Sequence, residues 1–220
     1  MACGVSAFGA PAERARSLCQ RHGACKCRCL SRLVPLGISL CLCALLPALP
    51  GATARAMLPA EAARACSRLF LAVPWQAAAT SVRSLGDLRG KLLIDATNPL
   101  TVRAGREVEL PAQPSAAEQL QAWAPGATVV KAFNTLSYRV MADPEVAGGP
   151  VSVPLSGDDA AAKAEVAELV RRIGLEPVDV GPLYTARYTE RMALLYVGLS
   201  VRGAAHEFYL RPRPQPRTAN

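Results

Sequence analysis

Three apolar runs in the chain end in short turns rich in amide, hydroxyl or proline residues. They are Val73-Pro74-Trp75 after "RLFLA", Thr97-Asn98-Pro99 after "KLLIDA", and Asn134-Thr135 after "TVVKAF". Amide and hydroxyl groups at strand ends can hydrogen-bond a polar ligand, and a proline stops the strand while leaving the turn open. None of these side chains exchanges protons near neutral pH, so the chemistry they suit is the holding and orienting of a ligand. Each also has a plainer role: Asn98-Pro99 is a common turn pair, Trp75 suits a core, and Asn134 suits a helix cap. Three such turns along one edge of one sheet point to a ligand crevice. The two histidines, His22 and His206, lie far from these turns in sequence. Cys25, Cys27 and Cys29 alternate in "CKCRC". They lack the paired C-x-x-C spacing and second cluster of a structural zinc site, so no metal is expected.

The elements that must carry these turns are legible as five short apolar runs separated by helical patterns. The runs are Arg68–Val73, Lys91–Ala96, Thr128–Phe133, Pro150–Leu155 and Glu176–Val180. Unbroken apolar strands alternating with helices predict an α/β fold, a Rossmann-like parallel sheet with helices on both faces. Ser115 and Glu118 form a capping box ahead of one helix. Asp158 and Asp159 open another, whose Ala162, Val166, Leu169, Val170 and Ile173 share a face and whose stop is Gly174. A last helix spans about 185–201. The domain is expected over 57–210, with a proline-broken, disordered tail at 211–220.

Charge and cysteine are unevenly spread. The net charge of +8 invites a nucleic-acid partner, but residues 1–56 hold seven of the 25 basic residues and only one acid, Glu13. The remainder carries 18 basic and 16 acidic residues and is nearly neutral, so no nucleic-acid partner is expected. All eight cysteines fall at or before Cys66, so disulfides are not expected to hold the domain together. Residues 1–56 read as a leader: a basic segment, the apolar run Leu33–Pro50, and small-x-small sites around Ala54 and Ala56. Pro35, Gly37, Pro47 and Pro50 argue against a stable spanning helix, and any membrane contact is expected through the leader alone. The length of the basic part suits a two-part organelle (plastid-like) leader or entry to the secretory route. The same composition also arises when a GC-rich gene is read in a wrong frame, and the protein is then cytoplasmic.

A family resemblance rests on "FLAVPWQ", "GKLLIDATNPL", "SAAEQLQAWAPGATVVKAFNTL", "SGDDAAAKAEVAELVRRIGLEPVDVGPL" and "ARYTERMALL", in that order over about residues 60–210. They resemble the NADP-dependent oxidoreductases that act with a deazaflavin coenzyme. They are also similar to the NADPH-binding domain of STEAP-type metalloreductases and to proteins named after the N-terminal domain of pyrroline-5-carboxylate reductase. The resemblance implies NADP(H) as cofactor and a small or deazaflavin-like hydride acceptor that it leaves unidentified. It also implies that Val73, Pro74 and Trp75 face the adenosine and phosphate side. Thr97, Asn98, Pro99, Asn134 and Thr135 then face the nicotinamide. Hydride passes directly between rings in such enzymes, so no acid–base residue is implied. Arg187 and Glu190 match the family's A-R-x-x-E helix and, three residues apart, are expected to pair with each other.

The family's first strand, glycine loop and helix should precede "LAVP", yet residues 1–56 contain no G-x-G-x-x-G. The nearest text, Gly4–Leu18, keeps Gly9 but has Pro11 and Arg14 where the second and third glycines fall. Read as a chance alignment, it leaves the fold without its first βαβ unit, with one sheet edge bare and NADPH binding weak or absent. Two other readings stay open: a non-catalytic Rossmann remnant that acts as a binding module, and a reductase domain tethered by Leu33–Pro50.

Overall fold

The computed structural model describes residues 2–6 (as backbone), 58–103, 107–111, 114–203, 206 and 208–212. The described strands of the main sheet are β1 (Ala2–Ser6), β2 (Arg68–Ala72), β3 (Leu92–Asp95), β6 (Thr128–Lys131), β7 (Ser152–Ser156) and β8 (Glu176–Gly181). They lie side by side in that order. A short antiparallel pair, β4 (Thr101–Val102) and β5 (Val108–Glu109), comes after the Thr97-Asn98-Pro99 turn. The helices are α1 (Pro59–Ala65), α2 (Trp75–Leu85), α3 (Ala116–Trp123), α4 (Tyr138–Ala142), α5 (Ala160–Arg172) and α6 (Ala186–Val201). The five strands expected from sequence are all present, with ends shifted by one or two residues.

Period-two alternation divides the core between the two faces of the sheet. Leu69, Leu71, Leu93 and Val129 pack on one face with Ala78, Val82 and Leu85 of α2 and Ala117 and Leu120 of α3. Leu92, Ile94, Val130 and Ala132 pack on the other with Val140 of α4 and Ala162, Val166 and Val170 of α5. Both faces are therefore covered, as unbroken apolar strands require. The local start and stop signals behave as read. Ser115 Oγ accepts from the Glu118 amide while Glu118 accepts from the Ser115 amide. Asp159 accepts from the Ala162 amide, and Gly174 ends α5 at φ 79°.

Three expectations need correction. The sheet is mixed rather than wholly parallel: β6 meets β7 through one antiparallel pairing, Lys131↔Ser156, and β7 then runs parallel to β8. The chain between β6 and β7 contains only the five-residue α4 and a 3-10 turn, Pro144–Ala147. A helix of that length advances about 7.5 Å and does not return the chain to the amino edge. The second correction concerns the edge of β2, which is not bare. β1, inside the segment read as a leader, pairs with it in parallel from Ala2↔Arg68 to Ser6↔Ala72. A helix and second strand that would complete a first βαβ unit are not among the described residues, and Gly9, Pro11, Arg14 and "CKCRC" lie outside them. Third, Cys66, at the C-cap of α1, is disulfide-bonded. The domain thus carries a covalent link where none was expected.

Among the described residues no helix is long and apolar enough to cross a membrane. The run Leu33–Pro50 lies outside them, as does the tail beyond Pro212.

Candidate functional site at the carboxyl ends of β2, β3 and β6

Strand β3 ends in Asp95, whose carboxylate shapes the turn beyond it. Its Oδ1 accepts from the Thr97 amide at 2.8 Å and from Thr97 Oγ1 at 2.7 Å. These bonds turn the chain sharply, as a short acidic side chain does when it captures backbone two residues on. Strand β6 ends in Lys131, succeeded by Ala132 and Phe133. Phe133 is the one non-glycine among the described residues with positive φ, at 65°. A bulky residue there is strained, and such strain is typical of functional turns. Its ring packs against Phe70 with centroids 5.4 Å apart.

The two turns meet through their asparagines. Asn98 Nδ2 donates to the Asn134 carbonyl at 2.8 Å, and Asn134 Nδ2 donates to Asn98 Oδ1 at 3.0 Å. Asn134 is 6% exposed, and its own Oδ1 is buried with no hydrogen-bond partner. A buried amide oxygen left unpaired costs about 1–3 kcal/mol, and Asn134 Oδ1 is the spare acceptor of this pair. Thr97 and Pro99 are buried and Thr135 is half-buried.

Below the asparagines lies a set of buried charges. Lys131 Nζ donates to Asp95 Oδ2 at 2.8 Å and to the Thr97 carbonyl at 2.5 Å, and pairs with Glu190 Oε1 at 3.1 Å. Glu190 Oε1 also accepts from the Ala116 amide at the first turn of α3. Burial pushes the Glu190 carboxyl above its ordinary range, and the neighbouring Lys131 ammonium opposes that rise. Arg187 and Glu190 therefore do not pair with each other. Arg187 forms a two-pronged contact with Glu118, while Glu190 turns inward to Lys131. A local pairing preference worth a few tenths of a kcal/mol yields to these stronger tertiary partners.

The structure thus brings Thr97, Asn98 and Asn134 into one hydrogen-bonded unit. Val73, Pro74 and Trp75 sit at the end of the neighbouring strand β2: Val73 is buried, Pro74 is the N-cap of α2, and Trp75 begins that helix. The Trp75 ring stacks on Trp123 of α3, with centroids 5.4 Å apart and planes 21° from parallel. Asp95, Lys131, Glu190 and Phe133 were not nominated from sequence. The signal that could have found the first two is an acid and a base, each closing an otherwise apolar run. They fall at the same register position of adjacent strands, Asp95↔Lys131. Among the described residues no group of histidines, cysteines and carboxylates is arranged to hold a metal.

This framework matches known proteins. A family model described as NADP oxidoreductase, coenzyme F420-dependent, matches residues 11–99. A crystal structure from Arthrobacter sp. FB24, described as that of an F420-dependent NADP-reductase, superposes with a TM-score of 0.64 at 34% identity, covering 70% of this chain and 73% of that one. The chain belongs to this NADP oxidoreductase family. A hypothetical protein from Sinorhizobium meliloti is similar at 33% identity, with a TM-score of 0.52 over 58% of this chain and 62% of its own. Within the curated proteins, Metalloreductase STEAP3 of Rattus norvegicus is 38% identical over 117 residues, 52% of this chain but 22% of that protein. Human Metalloreductase STEAP2 is 33% identical over 116 residues, again 22% of its length. The chain therefore spans about a fifth of the metalloreductases it matches. The family match begins at residue 11, within the segment read as a leader and shortly after β1.

Proposed function

We propose that the chain transfers hydride between NADP(H) and a small or deazaflavin-like acceptor, with the nicotinamide seated against the Thr97-Asn98-Pro99 and Asn134-Thr135 turns. The observation that carries this reading is the Asn98–Asn134 pair with its spare, buried Asn134 Oδ1. Asn98 spends both ends of its side-chain amide on the other turn and Asn134 spends its Nδ2, which fixes both side chains before any ligand arrives. The remaining acceptor matches the carboxamide N–H of a nicotinamide. When bound, the cofactor supplies the hydride itself. The residues bind, orient and exclude water, and none has to move a proton, in keeping with a site of amides and hydroxyls. Val73, Pro74 and Trp75 are assigned to the adenosine and phosphate side. Affinity is expected to be weak, because residues 1–56 contain no G-x-G-x-x-G and Asn98 and Asn134 cannot replace a phosphate cradle.

The test compares NADPH with 2′-phospho-adenosine-diphosphate-ribose, which lacks the nicotinamide. Asn98→Leu strands the Asn134 carbonyl and amide, a loss of about 1–3 kcal/mol. It is expected to weaken NADPH by that amount and to leave the fragment's affinity unchanged. Equal losses for both ligands would reduce Asn98 to a support for its turn.

A further inference from the structure

Hydride transfer as proposed makes no use of Asp95, Lys131 or Glu190, yet all three are buried, with the Lys131 and Asp95 side chains at 0% exposure and Glu190 at 2%. Buried ion clusters are seldom favoured for stability alone, since well-packed apolar residues often serve as well. The geometry shows what this one grips. An ammonium has three protons, and Lys131 directs them to Asp95 Oδ2, the Thr97 carbonyl and Glu190 Oε1. Two of these partners belong to one turn. Thr97 is held from both sides, its amide and hydroxyl by Asp95 and its carbonyl by Lys131. The peptide that the Thr97 carbonyl shares with Asn98 is fixed by that grip, and with it the direction in which the Asn98 side chain leaves the backbone. Lys131 itself is three residues ahead of Asn134, across the strained Phe133. One cation on β6 therefore ties the turn after β3 to the turn after β6.

We infer that Lys131 is a positioning residue: it clamps the Thr97 carbonyl so that Asn98 and Asn134 meet in a preformed pair. Glu190 plays a different part. Its contacts are Lys131 and the Ala116 amide, so it balances charge and anchors α3 without touching the turn. The consequence for cofactor rests on the proposed nicotinamide site, but the clamp is testable in the ligand-free full chain, so the two can fail separately.

The experiment monitors the Asn98 and Asn134 side-chain amides and the Thr97 backbone amide by nuclear magnetic resonance and hydrogen exchange. Lys131→Met keeps the unbranched stem, one atom shorter, and removes the charge. It is expected to release the Thr97 carbonyl and so to ease opening of the turn, speeding exchange of the Thr97 amide, which Asp95 holds, at least about tenfold, and to collapse the distinct shifts of both asparagine amides. Glu190→Gln is expected to lower the melting temperature while leaving those signals unchanged, a split that a merely structural cluster would not produce. Should Lys131→Met not fold, Lys131→Met/Glu190→Gln, which removes one charge of each sign, carries the same test. Unchanged asparagine signals in a folded Lys131 variant would overturn the inference. Failure of both variants to fold would also overturn it, by assigning the cluster to the fold as a whole.

Discussion

Glu118 joins α3 and its N-cap to α6, and neutralising it is expected to reveal how much that junction contributes. It is the third residue of α3, accepts from the Ser115 amide and hydroxyl, and meets Arg187 of α6 through both carboxylate oxygens. The Arg187 guanidinium, with the Ser115 bonds behind it, holds the Glu118 carboxyl down to about 2 from an ordinary 4.5. At 1.36 kcal/mol per pK unit that drop corresponds to about 3 kcal/mol. Both side chains keep solvent contact, 23% for Glu118 and 33% for Arg187, so screening brings the effect to about 1–2 kcal/mol. The sign is set by the lowered value. The folded state favours the charged form, so the stabilisation is whole above the ordinary carboxylate range and is lost as pH falls towards 2. Glu118→Gln retains the capping-box role while removing the charge. At pH 7 the variant should melt lower by about 2–8 °C. Urea or thermal unfolding, monitored through Trp75 and Trp123, should show the gap closing between about pH 5 and pH 2. A gap that stays constant from neutral to acid pH would refute the role assigned to the ion pair.

Two further outcomes are expected. Phe133→Gly and Phe133→Ala both delete the ring that packs on Phe70, but only glycine is at ease at φ 65°. Phe133→Gly should therefore be the more stable of the two by about 1–2 kcal/mol in chemical denaturation, the reverse of the usual order, and the usual order would deny the strain. A fluorescent reporter carrying residues 1–60 tests the leader reading against β1: cleavage near Ala54 or Ala56 with delivery to an organelle or the secretory route would remove β1 from the sheet, whereas a diffuse, uncleaved reporter would keep residues 1–56 in the domain.

The parts of the fold legible in sequence were those set by local physics. Apolar runs such as "KLLID" and "TVVK" are short and bounded by turn residues, as buried strands are, and Ser115 with Glu118, Asp159 and Gly174 each satisfy backbone groups within a turn of themselves. What escaped depends on residues far apart in the chain. Arg187 and Glu190 sit three apart and look like a pair until Glu118, 69 residues away, and Lys131 compete for them. The reversal of β7 is set by the path of the chain after β6, which no periodicity records. The strand Ala2–Ser6 is short, and the glycine pattern that would have announced it is absent from the sequence after it. The candidate site divides in the same way. Thr97, Asn98 and Asn134 were visible as polar strand ends. The buried Asp95 and Lys131 that hold them needed the register of two strands to be known.

The central claim is that the nicotinamide end of NADP(H) sits on the Asn98–Asn134 pair. Its most direct test is a titration of the full chain with NADPH to millimolar concentration, monitored through side-chain amide resonances. The account predicts shifts at the Asn98 and Asn134 amides and at the Thr97 backbone amide, and none at these groups with 2′-phospho-adenosine-diphosphate-ribose. NADPH that moves only resonances elsewhere, or moves none at millimolar concentration, would contradict it.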